Sequence, residues 1–200
     1  QKIGARWPWS RKVFASMTDE LAKRGARVIG FNISFTGIED SGAASTADFA
    51  QALSRYGNAV IGATFDKNSR LVPPNTEIAS ASARIGYLEK IVDPDYTIRR
   101  SYLLRPYQSE VRGPGLGFES SFSLQLLVSY GLPKGGPPVY EADLNLLTVG
   151  DPRRAVFLQK DGSYLINYLA QETDLRSVPA WKVIEGKIPD ALVRGKLVLV

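Results

Sequence analysis

The fold is decided by residues 5–35, which read Ala5-Arg6-Trp7-Pro8-Trp9-Ser10-Arg11-Lys12, an amphipathic run, then Gly25-Ala26 and Arg27-Val28-Ile29-Gly30-Phe31-Asn32-Ile33-Ser34-Phe35. Ser10 is a favourable helix N-cap, and apolar residues follow it at helical spacing as far as Gly25. Glycine there permits the left-handed backbone that ends many helices. Residues 27–35 are apolar on both faces, which is typical of a strand inside a parallel sheet. The stretch therefore predicts a helix that leads into a buried strand.

A second helix and strand follow in the same order. After a loop at Thr36–Ala44, Ser45 or Thr46 is expected to cap a helix, and Asn58–Phe65 is expected to form a strand. This alternation predicts right-handed crossovers and an α/β fold: a mixed, largely parallel central sheet with flanking helices and antiparallel hairpins. The first helix also predicts a strand before it. Because only six residues precede Trp7, we expect that strand to lie ahead of residue 1.

Turn-forming residues predict two antiparallel hairpins in the second half of the chain. Asp93-Pro94-Asp95-Tyr96 suits a type I turn, with aspartate at its first position and proline at its second. Asp161-Gly162 between alternating apolar residues is a strong hairpin signal. The four strands are predicted at Arg84–Val92, Thr97–Leu104, Ala155–Gln159 and Tyr164–Leu169.

The remaining segments are interpreted from their caps and apolar runs. Ser120 or Ser121 is expected to cap a helix that ends at Gly131, and Ser177 to cap one that ends at Gly186. Three further predictions are a loop at Arg105–Gly117, a short strand at Leu144–Val149 and a buried strand at Lys196–Val200.

The composition removes whole classes of chemistry. The 200 residues contain no cysteine and no histidine, which excludes thiolate nucleophiles, disulfides, imidazole bases and nearly every zinc or copper site. No pair of carboxylates stands out for acid–base work among the 20 acidic residues. We therefore predict no catalytic residue, no metal and no cofactor.

Size and charge favour one domain over residues 1–200. The 25 basic residues exceed the 20 acidic ones by a net charge of +5 that is spread along the chain, so no nucleic-acid partner is predicted. No apolar run approaches the roughly 20 residues of a membrane-spanning helix, and no signal peptide is visible. Any membrane segment is expected outside these residues.

Seven groups of residues, taken in order, resemble the type-two CHASE domain. This family is the extracellular sensory module of bacterial adenylate cyclases, histidine kinases and serine/threonine kinases, and the resemblance spans nearly the whole chain. Each group alone is weak evidence for the family, whereas the seven groups in the family's order are specific to it. The groups are Arg6-Trp7-Pro8-Trp9-Ser10-Arg11, Gly25-Ala26 with Gly30-Phe31-Asn32-Ile33-Ser34-Phe35, Asp48 to Leu53, Gly57-Asn58, Asp93-Pro94-Asp95 with Ile98-Arg99-Arg100, Leu165-Ile166-Asn167-Tyr168, and Arg194-Gly195-Lys196-Leu197-Val198-Leu199-Val200.

The chain departs from the family pattern at three places. Asn32 stands where the family usually has aspartate, which removes a charge and weakens the case for a metal or cationic ligand there. Tyr96 stands where the family's turn commonly carries glycine, so we expect that turn to avoid positive φ at this residue. As the third departure, we expect the family's first strand and the segment after its last strand to lie outside residues 1–200.

The resemblance implies a function and a location. It implies an extracytoplasmic domain that senses a small-molecule or ionic ligand, or another stimulus, and catalyses nothing itself. Transmembrane helices beyond residues 1–200 would anchor it, a cytoplasmic cyclase or kinase would give the output, and a homodimer is one possible assembly. A ligand would then have to bind two arrangements of the domain unequally, because equal affinity shifts no equilibrium.

Five residues are candidate ligand contacts, each with a structural alternative. Trp7 and Trp9 could form an aromatic wall, although a Trp-Pro-Trp before a helix more often packs that helix onto the core. Arg11 could bind an anion, although such an arginine is more often solvated or paired with an acid such as Asp40. Asn32 follows the buried part of a parallel strand, where ligands of open α/β sheets bind, or it satisfies loop backbone groups.

Arg99 belongs to a charged hairpin with Asp93, Asp95 and Arg100. Ion pairs that secure the turn are the expected interpretation, and an oxygen-rich cation site is the less favoured one.

Two other functions stay open at this point. Gly113-Pro114-Gly115-Leu116-Gly117 before a capped helix could cradle a phosphate, which would make the chain a cytosolic α/β nucleotide-binding enzyme. Polar loop residues stand before these glycines in place of the strand that such a loop requires, so this alternative is disfavoured. The chain could also be a structural, dimer-forming module that reads no ligand.

Overall fold

The computed structural model describes residues 7–37, 43–108, 116–131, 139–149, 154–168 and 175–200. The helices are α1 (Arg11–Lys23), α2 (Ala43–Tyr56), α3 (Thr76–Ala81), α4 (Phe122–Tyr130) and α5 (Ala180–Ile184). The strands are β1 (Val28–Ser34), β2 (Ala59–Phe65), β3 (Leu71–Val72), β4 (Arg84–Tyr87), β5 (Arg100–Tyr102), β6 (Leu104–Gln108), β7 (Leu116–Ser120), β8 (Val139–Glu141), β9 (Leu146–Val149), β10 (Arg154–Phe157), β11 (Ser163–Leu165) and β12 (Leu197–Leu199).

The central sheet is largely parallel, as predicted. Strands β12, β1, β2 and β4 lie side by side in that order and run the same way, while the short β3 pairs antiparallel with the end of β2. Helices α1 and α2 connect or precede strands of this sheet, which gives the crossover pattern that the sequence indicates. The α/β class is therefore confirmed.

The pleat of the strands divides the core between two faces. Ile29, Phe31 and Ile61 pack on one face with α1, α2, α3 and α5, whereas Val28 and Val60 pack on the other with α4. The larger face holds four phenylalanines whose ring centroids lie 4.9–6.1 Å apart in every pair. They are Phe14, Phe31, Phe35 and Phe49.

Besides the central sheet, the described ranges contain three small antiparallel sheets: β5 with β11, β6 with β7, and β10–β9–β8. They pack around a separate cluster of buried residues, which contains Leu103, Leu147, Val149 and, from α4, Leu124. Below, these three are called the antiparallel sheets, and the central sheet of β12, β1, β2, β4 and β3 is called the parallel sheet.

The first helix and the first two strands form where the sequence predicts them. Ser10 caps α1 by accepting a bond from the backbone N–H of Lys12, and Gly25 follows α1 at φ +84°. Ser121 likewise caps α4, and Gly131 ends it at φ +126°. The strand expected ahead of residue 1 stays a prediction, and β12 pairs with β1 on the side away from β2.

Two predicted caps are wrong. Ser45 and Thr46 are buried inside α2, which begins earlier, at Ala43, and the Thr46 hydroxyl accepts a hydrogen bond from Arg11 instead. Ser177 does not cap α5, because that helix begins after Pro179, which takes the N-cap position without a side-chain bond.

Both predicted turns form, but the strands beside them choose other partners. Asp93–Tyr96 closes with a 2.8 Å bond from the N–H of Tyr96 to the carbonyl of Asp93, and Gly162 N–H bonds Gln159 in the same way. The strand that begins at Arg84 joins the parallel sheet, β5 pairs with β11, and β10 pairs with β9. Short antiparallel contacts remain beside each turn, since Ile91 bridges Arg100 and the N–H of Gln159 donates to the carbonyl of Ser163 at 2.6 Å. The two predicted hairpins are therefore confirmed at their turns and wrong in their length.

Three smaller expectations also need correction. The segment Arg105–Gly117 is not a simple loop, because β6 and β7 pair across it, although residues 109–115 lie outside the described ranges. Tyr96 adopts φ +61°, so the turn does take a positive φ at this residue. Strand β12 is only partly buried, and Leu199 is 63% exposed.

A helix that crosses a bilayer needs a run of about 20 apolar residues. Among the helices of the described ranges, none is both long and apolar enough to do so.

Candidate functional site

A cleft of about 520 Å³ opens at the carboxyl edge of the parallel sheet. Asn32 of β1, Val200 beyond β12 and Leu88 beyond β4 line it from the sheet, and Ser123 in the first turn of α4 lines it from above. The carboxyl ends of the parallel strands lie at this edge, which is where open α/β sheets bind ligands.

Asn32 is the first exposed residue of β1 and follows four consecutive buried ones. Its backbone stays in the sheet, since its N–H donates to the carbonyl of Val200 at 2.9 Å. Its side-chain amide bonds no residue in the part of the chain that the structure describes. The amide is therefore available at the cleft, and the alternative of bonding to loop backbone is not observed among those residues.

The opposite wall comes from the antiparallel sheets. Tyr164 of β11 faces Ser101 of β5 in the register of the two strands, and both residues line the cleft. The hydroxyl of Tyr168 donates to the carbonyl of Ile98 at 2.7 Å, which ties the segment after β11 to the segment before β5. Burial raises the pKa of Tyr164 above its ordinary value. This tyrosine therefore lines the cleft as a neutral hydroxyl.

The charged groups at the cleft are unequally paired. Glu89 forms an ion pair with Arg105, whose guanidinium also lies 4.2 Å from the ring centroid of Phe65. Lys90 is exposed, and its ammonium forms no ion pair within the described ranges. The cleft therefore carries one cationic group that no carboxylate of those ranges offsets.

A second cleft of about 400 Å³ adjoins the first and shares Tyr87, Glu89 and Lys90 with it. The Tyr87 hydroxyl donates to the carbonyl of Tyr102 at 2.6 Å. Burial raises the pKa of Tyr87 far above its ordinary value, against the opposing effect of the Arg105 charge. Tyr87 thus links β4 to β5 through a neutral hydroxyl, and it lines both clefts.

Helix α4 sits unusually close to β4 at the cleft. A Cβ atom added at Gly86 would lie 2.6 Å from the Cα of Phe122, a distance that real Cβ contacts do not show. Tyr87 and Ser121 form a parallel bridge beside it. Glycine at this position is what lets the first turn of α4 reach the edge of the sheet.

Of the five predicted site residues, only Asn32 lines the cleft. Arg99 instead forms a bidentate pair with Asp95 at 2.6 and 2.8 Å and bonds Asp93 at 3.2 Å, so the predicted ion pairs at the turn are confirmed. Arg100 completes the network through Asp93 at 2.7 Å and Asp161 at 3.1 Å. These pairs lower the pKa of Asp93, with the Arg100 bond contributing most.

Trp7 and Trp9 lie against α1 rather than in the cleft. Their ring centroids are 5.7 Å apart, and each lies 6.2–6.3 Å from Phe14 in the main core. Trp9 packs against that core, while Trp7 is 58% exposed. The structural interpretation of this pair, packing of the first helix onto the core, is confirmed.

Arg11 is 5% exposed, so the expectation of a solvated side chain is wrong. Its guanidinium donates to Thr46 Oγ1 at 2.6 Å and to the carbonyls of Gly37 and Phe35 at 2.8 and 3.5 Å. It thereby fastens α1 to α2 and to the end of β1. The suggested pair with Asp40 lies outside the described residues.

Sequence reasoning missed Lys90, Ser123 and Tyr164 as cleft residues. One signal was available for two of them, because Lys90 follows a strand of the parallel sheet and Ser123 begins a helix whose N-terminus meets that edge. No local signal marks Tyr164, since its place in the cleft depends on the pairing of β11 with β5.

The structure offers little to the alternative functions. No group of three or more acidic side chains suited to a metal occurs within the described ranges. Gly117 pairs with Tyr107 inside a β-hairpin, which is not the loop between strand and helix that a phosphate cradle needs. Gly113 and Gly115 lie outside the described residues.

In a comparison with protein families, a family model described as the CHASE2 domain matches residues 1–200. Comparisons with curated proteins and with solved structures give no match. Because the family match spans the chain from end to end, it includes the cleft and both groups of sheets around it.

Proposed function

The chain belongs to the CHASE2 domain family, whose members are extracellular sensory domains of signalling receptors, and we propose that it is the extracytoplasmic sensing domain of a transmembrane receptor. CHASE2 domains are sensory and not catalytic, so the output must come from another part of the receptor. A cytoplasmic adenylate cyclase, histidine kinase or serine/threonine kinase is the proposed source. Residues 1–200 act as one domain in this proposal, anchored by membrane helices outside that range.

The observation that carries the proposal is the cleft at the carboxyl edge of the parallel sheet. Its volume of about 520 Å³ lies in the range of small-molecule sites, and it combines apolar walls with a few polar groups. Asn32 contributes an amide that bonds none of the described residues, and Ser123 contributes a hydroxyl. A small molecule or ion is therefore the proposed ligand, and the cleft is its proposed site.

The position of the cleft also suggests how binding becomes a signal. One wall belongs to the parallel sheet and α4, and the other to β5 and β11 of the antiparallel sheets. A ligand that touches both walls binds better when they are close than when they are apart, and this difference in affinity is what shifts a population. Two copies of the domain side by side in a receptor dimer would carry the shift to the membrane.

The location is tested by single-cysteine labelling. The chain has no cysteine of its own, so Lys67→Cys in an exposed turn supplies the one thiol once the rest of the parent polypeptide is freed of cysteine. We expect a membrane-impermeant maleimide to label it in intact cells. Ile61→Cys, at a fully buried position, is the matched control and stays unlabelled. Labelling of Lys67→Cys only after the cells are permeabilised contradicts the proposal.

The sensing role is tested by deletion. A receptor that lacks residues 7–200 should lose the dependence of its cyclase or kinase output on the growth medium. An output that follows the medium as in the wild type contradicts the role. A purely structural, dimer-forming module predicts that outcome.

A further inference from the structure

We propose that the cleft binds a small organic monocarboxylate, with the carboxylate near Lys90 and Asn32 and the apolar body between Ile166 and Leu199. This inference rests on the proposed function, because it names the ligand class of the same cleft. It is drawn from the charges, hydrogen-bonding groups and apolar surfaces that line the cleft.

The charges of the walls favour one negative group on the ligand. Glu89 is neutralised by Arg105, and in the adjoining cleft Asp161 is paired with Arg100 at 3.1 Å. Lys90 is left as a cation without a carboxylate partner in the part of the chain that is described, and it lines both clefts. A single ammonium matches a single carboxylate in charge, whereas a phosphate monoester would bring close to two negative charges.

The neutral polar groups also fit a carboxylate. The Asn32 side chain carries two N–H donors and makes no hydrogen bond within the described ranges. Ser123 adds a hydroxyl that is exposed at the same cleft. A carboxylate only accepts hydrogen bonds, and its two oxygens can use these donors together with the ammonium of Lys90.

The remaining walls are apolar and accessible. Leu199 is 63% exposed at the sheet edge, and Ile98 and Ile166 line the opposite side. Water at these surfaces is displaced when an apolar body enters, which favours a ligand with a ring or a short alkyl chain over acetate or formate. The ligand class is thus an aromatic or alkyl carboxylate that a cleft of about 520 Å³ encloses.

The test compares probes that share one body and differ in charge. Phenylacetate, phenylacetamide and phenethylamine are titrated by calorimetry into the full 200-residue chain at pH 7, and phenyl phosphate serves as the fourth probe. We expect phenylacetate to bind about tenfold more tightly than the amide, as the loss of one charge-assisted hydrogen bond implies. Phenethylamine and phenyl phosphate should bind more weakly than phenylacetate.

Variants locate the effect. Lys90→Gln should abolish the preference for phenylacetate over phenylacetamide, and Lys90→Arg should keep it. Lys67→Gln, at an exposed lysine that does not line this cleft, is the matched control and should behave as the wild type. Lys90 is exposed, so an unchanged melting temperature verifies that each variant is folded.

Three results would overturn the inference: equal affinity for phenylacetate and phenylacetamide, a preference that survives in Lys90→Gln, or tighter binding of phenyl phosphate. The absence of binding by all four probes overturns it as well. None of these results touches the sensing role, which is decided separately by the deletion of residues 7–200. A deletion without effect removes the proposed function, whatever the probes do.

Discussion

The parallel sheet and the antiparallel sheets are stabilised in different ways. The parallel sheet is covered on both faces, and its main core joins residues from four helices, with Phe31 and Phe49 fully buried. The antiparallel sheets share a cluster of four buried residues and depend on turns and on the Asp93–Arg99–Arg100 ion pairs. Regions with few buried contacts open at lower free-energy cost. We therefore expect the parallel sheet to be rigid and the antiparallel sheets to move relative to it, with the cleft between the two.

The largest effect is expected in the main core. Phe31→Ala removes a fully buried ring that contacts three other phenylalanines, and it should lower the free energy of unfolding by about 3–5 kcal/mol. Phe157→Ala, at a side chain that is 76% exposed in β10, should change it by less than about 0.5 kcal/mol. Urea denaturation measures both. Similar losses for the two variants would contradict the placement of Phe31 in the main core and of Phe157 at the surface.

The second prediction concerns which strands are destabilised when a buried side chain of the antiparallel sheets is truncated. Leu147→Ala should cost about 2–5 kcal/mol within the antiparallel sheets, because Leu147 is fully buried in their small cluster. Hydrogen exchange should then speed up at the amides of β8, β9 and β10 while β1 and β2 stay protected. Val156, partly buried against the same cluster, offers a milder control as Val156→Ala. Equal acceleration in β1 and β9 would mean that the two regions open as one unit.

Much of the parallel sheet could be predicted because its signals are local. The apolar pattern of Val28–Phe35 and the caps at Ser10 and Gly25 each lie within a few residues of the element that they specify. The turns at Asp93 and Gly162 are local too, and they form. The residues of a turn determine that the chain reverses direction, but they do not determine which strands pair. Strand β5 follows the Asp93 turn and pairs with β11, which follows the Gly162 turn.

The same reasoning explains which part of the site could be foreseen. Asn32 can be found because the rule for ligand sites in α/β folds needs only the end of one strand. Tyr164 cannot, because it is brought to the cleft by the pairing of β11 with β5, which lie far apart in the chain. Lys90 is missed because Arg84–Val92 is expected in a hairpin, whereas β4 joins the parallel sheet. The burial of Arg11 escapes prediction for a related reason, since it depends on α2, which packs over this side chain.

A third prediction concerns the hydrogen bonds by which Arg11 connects α1 to α2 and to the end of β1. Arg11→Met should destabilise the chain by about 1–3 kcal/mol, because it leaves the Thr46 hydroxyl and the Gly37 carbonyl without their donor. Lys12→Met, which removes only an exposed pair with Asp48 at 3.6 Å, is the neighbouring control and should cost less than about 1 kcal/mol. Thermal unfolding compares the two. A smaller loss of stability for Arg11→Met than for Lys12→Met would contradict a stabilising role for the Arg11 hydrogen bonds.

The smallest effect concerns pH at the Asp93 turn. Bonds to Arg100 and Arg99 lower the pKa of Asp93, and the Arg99 pair lowers that of Asp95. Because the folded pKa values lie below the ordinary value of about 3.9, the stabilisation is present above that pH and is lost as the pH falls through the folded values. Asp93→Asn should therefore be less stable than the wild type at pH 7, and the difference should shrink as the pH falls below about 3.9 toward the folded pKa. Asp48→Asn, in an exposed pair, is the control. A difference that grows on acidification would contradict the assignment.

The central claim, that the cleft at the carboxyl edge is where the signal is received, is tested most directly by filling it within the intact receptor. Ser123→Trp places an indole in the cleft, and Ser54→Trp adds one to an exposed position of α2 outside it. The measurement is the cyclase or kinase output across the media in which deletion of residues 7–200 changes that output. We expect the Ser123→Trp receptor to lose the response and the Ser54→Trp receptor to keep it. A Ser123→Trp receptor that responds as the wild type contradicts it.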